Sequence, residues 1–233
     1  MIYLKTSFFA CLLSNWKEAL TNRKFSAAFS ISLIILAASL ILLTSFLSYV
    51  EQRSGVILND PLLNLINPVN LTWFIFALIY LSLALALLSF ITSPRLFLFA
   101  IQSYALLVLT RIAAMYFLPL EPPVKMIPLA DPFVQFFGPS NLLTKDLFFS
   151  GHTATIFLFF LIAKKGKLKI FFFANTCLVA LSVIIQNVHY SIDVFSAPFF
   201  TFCCYTVIKS VDKILFGIEL HKGPLNDKGI NIP

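Results

Sequence analysis

Residues 25–50 read FSAAFSISLIILAASLILLTSFLSYV, 26 positions without one charged side chain. A helix needs about 20 predominantly apolar residues to cross the roughly 30 Å hydrocarbon core of a bilayer. Working outward, Leu71–Thr92 and Leu96–Leu118 carry the same signal, the latter interrupted by Arg111. Leu147–Ala163, Leu168–Val188 and Ile192–Ile208 complete a set of six. The fourth and sixth are short, so they start in the headgroup region or tilt. The composition agrees: 59% of the 233 residues are hydrophobic and 12% charged, with mean hydropathy +0.92, where soluble domains carry about 25% charged residues. The expected fold is all-α: a polytopic membrane protein with six transmembrane helices.

The flanks define three regions. Residues 1–24 mix apolar positions with Lys5, Lys17, Arg23, Lys24 and Trp16. This suits an N-terminal interfacial helix better than a cleaved signal peptide, because the apolar run is short and no small-residue cleavage site follows. Residues 25–210 form the six-helix membrane domain, and 211–233 a polar tail. The segment from Pro119 to Pro139 holds six of the twelve prolines. It sustains neither helix nor strand, and loops of this length are often functional. The cysteines, Cys11, Cys177, Cys203 and Cys204, have no metal-binding or disulfide spacing and read as small packing residues.

Charge sets the orientation. With the N-terminus in the cytoplasm, the cytoplasmic segments hold 13 of the 17 basic residues. The outer segments hold Arg53, Lys125 and Lys145, and Arg111 lies within a span. This is the positive-inside pattern, with both termini cytoplasmic. Topology therefore accounts for the basic pI of 9.3, and no nucleic-acid partner is implied.

The same orientation gathers chemistry on the outer side. The triplet Ser150-Gly151-His152 opens the fourth span. His189 and Asp193 flank the junction of the fifth and sixth. Ionisable groups at membrane depth are costly and usually pair or act. Residues four apart share a helix face, so Asp193 can fix the tautomer of His189 and raise its basicity. That arrangement suits a nucleophile or general base. His152 supplies a second imidazole, able to give and take a proton. Gly151 lets backbone approach a phosphate, Ser150 with the helix N-terminus can bind an anion, and Arg111 matches a phosphoryl oxygen. Each feature alone has a plainer reading. A single histidine at a helix mouth is commonly interfacial, and an arginine in a span can snorkel to the headgroups. The conjunction on one membrane side carries the argument.

The stretches FFSGHTATIF (Phe148–Phe157) and HYSIDVFSAPF (His189–Phe199) resemble the two signature motifs of sphingomyelin synthases and their bacterial relatives. These form a branch of the type 2 phosphatidic acid phosphatase superfamily. DPLLNLINPVNLTWFIFALI (Asp60–Ile79), LTRIAAMYFLPLEPP (Leu109–Pro123) and Asp146 resemble further stretches of that branch. The resemblance implies six helices with cytoplasmic termini, His189 as nucleophile on phosphorus, Asp193 as its orienting partner, and His152 as general acid and then base. It implies no cofactor and no metal. Two departures separate the chain from ordinary superfamily members. No K-x6-R-P motif precedes the first histidine motif, and Ser182-Val183 stands where Ser-Arg is usual. Ser191 also replaces the branch's usual Thr. A dianionic monoester calls for several cations, whereas a diester headgroup carries one negative charge and needs fewer.

The expected activity is a membrane lipid phosphotransferase of sphingomyelin synthase type. It would move a phospho-headgroup from a glycerophospholipid to a lipid hydroxyl such as ceramide, or to water in a phospholipase C-like reaction. A lipid phosphate phosphatase and an inactive lipid-binding protein are the alternatives. Six outer acids against three bases suit a cationic headgroup, with Glu121, Asp131 and Asp146 as contacts; Tyr190 is a further substrate-binding candidate. The partners are membrane lipids; an oligomer is compatible with the sequence. The site is expected on the exoplasmic side, of a bacterial cytoplasmic membrane by preference, although an organelle lumen fits the same topology.

Overall fold

The computed structural model describes residues 2–130 and 143–217, with side chains from residue 9 onward. These residues form eight α-helices and no strand: α1 Ile2–Thr21, α2 Arg23–Gln52, α3 Pro61–Asn64, α4 Thr72–Phe90, α5 Pro94–Phe117, α6 Gly151–Ile162, α7 Lys167–Ile185 and α8 Ser191–Phe216. Five of them, α2, α4, α5, α7 and α8, are long and apolar enough to cross a membrane. α6 is apolar but has 12 residues, about 18 Å at 1.5 Å per residue. That is well short of the roughly 30 Å core, and shorter still than the already short fourth span expected over Leu147–Ala163.

Local chemistry sets the helix ends. Asn22 caps α2 by accepting from Lys24 N and Phe25 N. Pro61 and Pro94 open α3 and α5, where a missing N–H costs nothing. Gly217 ends α8 in the left-handed region at φ 71°, the usual role of glycine there. Lys169 Nζ donates to Ala163 O, 3.4 Å away, at the end of α6.

Three boundaries move from the sequence reading. α6 starts at Gly151 rather than Leu147, because the Phe149 carbonyl is taken by Arg111 and Ser150 serves as the N-cap. α7 stops at Ile185, since Asn187 turns the chain with φ 54°. α8 runs to Phe216, past Ile208 and past the 210/211 boundary of the polar tail. Its last turns are held by the ion pair of Arg95 with buried Asp212, at 2.8 Å, and by Arg95 lying over the Phe216 ring.

The connections 91–93, 163–166 and 186–190 are short, which makes their helices antiparallel neighbours. α6 sits inside the bundle against α4, α5, α7 and α8, with Ala154, Ile156, Leu158 and Ile162 fully buried. α2 packs on α5 but makes little contact with α4. Polar cross-links lie within the apolar layer: Gln102 Nε2 donates to Ser32 Oγ and Asn175 Nδ2 to Ser82 Oγ, both at 3.0 Å. α1 packs on α2 and α5. All four cysteines are free thiols, and buried Cys204 contacts Thr110 Oγ1 at 3.3 Å.

Candidate active site

The N-terminus of α6 and the start of α8 are stitched together by one backbone bond. Ser150 N donates to Asp193 O at 3.0 Å, while the Ser150 hydroxyl caps α6 against Thr153. This brings residues 37 positions apart into one place: the His152 and His189 rings stand 6.4 Å apart, inclined at 61°. His189 and Asp193 are buried. His189 Nδ1 lies 3.5 Å from Asp193 Oδ2, an oxygen that also accepts from Tyr190 N at 3.0 Å. The carboxylate thus locks the first turn of α8 and stands close to the imidazole, with no hydrogen bond formed at His189 Nδ1. The His152 ring rests edge-on against Phe76, with centroids 6.0 Å apart.

Arg111 lies buried beside this pair. Its Nε donates to Phe149 O at 3.0 Å and its Nη2 to Asp146 Oδ1 at 2.5 Å. Gly151 is fitted against it, since a Cβ there would stand 2.6 Å from Nη1 and 2.7 Å from Cζ. Burial would raise the Asp146 pKa. The charge of Arg111, with those of His189 and His152, outweighs burial and holds the carboxyl below its ordinary value. Asp146 is therefore ionised at neutral pH and already neutralises much of Arg111.

A ring of outer contacts braces these groups. Asp60 Oδ1 accepts from Leu62 N and Leu63 N, capping α3, and from Ser191 Oγ; Oδ2 accepts from Ser191 N at 2.6 Å. Burial works against its ionisation, but the bonds from Ser191, Leu63 and Leu62 win and lower its pKa. The Tyr190 hydroxyl donates to Glu121 O at 3.0 Å and accepts from Leu58 N. Glu121 Oε1 receives Gly55 N and Lys145 Nζ, at 2.8 and 2.9 Å, and Lys145 holds that carboxyl below its usual range. Glu51 accepts from Thr144 and Lys145. Gln186, fully buried, ties Leu71, Thr72 and Ile127 to the α7–α8 turn.

Of the residues singled out in the sequence, the fold gathers Arg111, Asp146, Ser150, Gly151, His152, His189 and Asp193. Glu121 and Tyr190 lie in the bracing layer, bonded to protein partners. Asp131 lies outside the described residues. Asp60 and Gln186 are additions. Asp60 is signalled by the Asp-Pro helix start, and Gln186 only as a lone amide at the end of an apolar run. Among the described residues no cluster of three or more His, Cys, Asp or Glu side chains could hold a metal ion.

A cavity of about 560 Å³ leads away from Arg111, Asp146, Gly151 and His152, between α2, α4, α5 and α6. Its remaining walls are almost wholly apolar. Charged and titratable groups thus stand at the head of an apolar cavity within an all-helical bundle.

Residues 145–210 match the family model described as PAP2 superfamily C-terminal. The match covers 66 of the 233 residues and supports a relation to the PAP2 superfamily over that segment. It includes both histidine motifs. Comparisons with curated proteins and with solved structures gave no match.

Proposed function

We propose that the protein is a phosphodiester-cleaving lipid phosphotransferase of the sphingomyelin synthase-like branch. In this reading His189 Nε2 attacks the phosphorus of a phospholipid headgroup. The bond from phosphorus to the diacylglycerol oxygen breaks, and protonated His152 gives its proton to that oxygen. A phospho-headgroup–histidine intermediate results. A lipid hydroxyl, such as that of ceramide, then attacks phosphorus while His152 removes its proton, restoring His189. Water in place of the lipid hydroxyl makes the reaction phospholipase C-like. Asp193 keeps His189 in the productive tautomer and stabilises its positive charge.

The carrying observation is the charge balance beside the two histidines. Arg111 is paired with ionised Asp146 at 2.5 Å, so little net positive charge awaits a substrate. The positions that carry Ser-Arg elsewhere add none: Ser182 bonds to Leu178 O of its own helix and Val183 is core. A monoanionic diester suits that balance better than a dianionic monoester. The distribution of basic residues supports cytoplasmic termini with α6 as the remaining crossing, and a site on the exoplasmic side.

One assay tests the reading. Purified protein in mixed micelles receives labelled phosphatidylcholine or phosphatidylethanolamine, with and without ceramide, beside labelled phosphatidic acid; His152→Ala and His189→Ala serve as controls. Histidine-dependent transfer of label to ceramide is the expected outcome. Cleavage of the diester regardless of ceramide identifies a hydrolase or another acceptor. Phosphate release from phosphatidic acid with diesters untouched overturns the reading in favour of a phosphatase.

A further inference from the structure

The apolar cavity has a shape that the headgroup chemistry does not require. On α5 its lining falls at Phe97, Ala100, Ile101, Tyr104, Leu107, Val108 and Arg111, one face at helical spacing. From Phe97 to Arg111 the helix rises about 21 Å, more than one leaflet's share, about 15 Å, of the hydrocarbon core. With a volume of about 560 Å³ along that length, the slot is long enough to take an extended hydrocarbon chain.

The side and the floor of the slot differ in kind. Along one side α2 and α4 hardly touch, and Leu33, Leu40, Leu83 and Leu87 both line the slot and are exposed. That seam leaves room for the second chain of a two-chain lipid in the bilayer. At the far end from His152 stand Phe90 and Phe97. Phe97 is backed by Trp16 of α1, ring centroids 5.7 Å apart, and Trp16 is itself fixed by Nε1 donating to Ile91 O at 2.8 Å and by Phe29.

We propose that this slot binds a single acyl chain of the lipid substrate, and that Trp16 of the N-terminal helix, through Phe97, sets the longest chain it accepts. The idea rests on the lipid reading of the site but not on the reaction. A chain anchored at the headgroup end runs down the α5 stripe until its methyl end meets the Phe97 ring. Chains that fit gain from every buried methylene, about fourfold in binding for each; longer ones must displace the ring.

The test uses full-length His189→Ala protein in phosphatidylcholine nanodiscs, so that turnover plays no part. The probes are phosphatidylcholine and phosphatidic acid bearing a diazirine near the methyl end of one palmitoyl chain. Adducts are mapped after illumination. Adducts on Phe97, Ala100 or Tyr104 are expected; adducts confined to Ile34, Ile41 and Leu88, on the exposed surface, would overturn the proposal. Adding Ala100→Leu is expected to reduce slot adducts about tenfold or more, because the new side chain displaces at least two methylenes. Undiminished labelling in that variant counts against a bound chain there. Trp16→Ala is expected to raise the capture of longer acyl chains relative to palmitoyl in competition. Unchanged chain preference in a Trp16→Ala protein with native thermal stability refutes the role of α1. If slot adducts appear but the micelle assay finds no phosphoryl chemistry, the site binds lipid and only the catalytic reading fails.

Discussion

Replacing Gly151 by alanine asks how much the site depends on where Arg111 lies. The added methyl would sit 2.6 Å from Nη1 and 2.7 Å from Cζ, against an ordinary contact of about 3.5–4.0 Å. The guanidinium must therefore retreat by about 1 Å. It is held by Asp146 at 2.5 Å and by the Phe149 carbonyl at 3.0 Å, so such a shift strains both bonds. Hydrogen bonds to charged groups contribute about 1.5–3 kcal/mol each. A 1 Å misplacement of a positioning group costs about a hundredfold in rate, equivalent to about 2.7 kcal/mol. Gly151→Ala is thus expected to lower kcat/KM about a hundredfold in the micelle assay, whichever phosphoester proves to be the substrate. The double-mutant cycle gives the sharper check. With Arg111→Ala already present, the methyl has nothing to displace, and the second substitution should cost less than about threefold further. Full activity of Gly151→Ala, or losses that simply multiply across the cycle, would refute the claim that the glycine works by making room for the arginine.

Two other substitutions separate positioning from folding. Asp193→Asn keeps an oxygen able to accept Tyr190 N but removes the negative charge facing His189 Nδ1. We expect kcat to fall by about 10²–10⁴-fold while thermal stability changes by no more than about 1 kcal/mol; near-normal kcat would show that the carboxylate is only a helix cap. Asp60→Ala should lower both stability and activity, since it releases Ser191 N and with it the start of α8; a stable, fully active variant would contradict that. The carboxyls of Asp60 and Asp146 are both lowered in the folded protein, so the stability each contributes is present above its unfolded pKa and lost as pH falls through the lower folded value. Unfolding curves should therefore show no pH dependence from either between neutrality and about pH 4, and a loss of stability only in stronger acid. An acidic limb in the activity profile above about pH 5 would then belong to other groups.

Much of the membrane layer was legible because apolar runs report burial in lipid directly. α2, α4 and α5 lie within two residues of the expected spans at every end. The errors fall where a distant partner decides. The run from Leu147 to Ser150 is as greasy as a helix, yet the Phe149 carbonyl is committed to Arg111, 38 residues earlier. α8 continues beyond Lys209 because Asp212 meets Arg95 across the bundle, which no local pattern reveals. His152, His189, Asp193 and Arg111 stood out as polar groups in apolar surroundings, and all four meet. Glu121 read as a headgroup contact on the count of outer acids alone. Its engagement by Lys145 and Gly55 depends on how the outer segments fold together.

The brevity of α6 bears on the membrane around the protein. In the proposed orientation, Lys164, Lys165, Lys167 and Lys169 cluster at its inner end and favour the cytoplasmic headgroups. From that anchor, about 18 Å of helix would leave His152 roughly 12 Å beneath the opposite edge of an ordinary hydrocarbon core. Either the lipid headgroup sinks to meet the imidazole or the outer leaflet dips locally, and both become easier as the surrounding bilayer thins. The short helix would make the protein responsive to hydrophobic thickness. Reconstitution into hosts of graded acyl length should give turnover that rises in the thinner ones, and a flat response would show that the dip is built wholly into the protein.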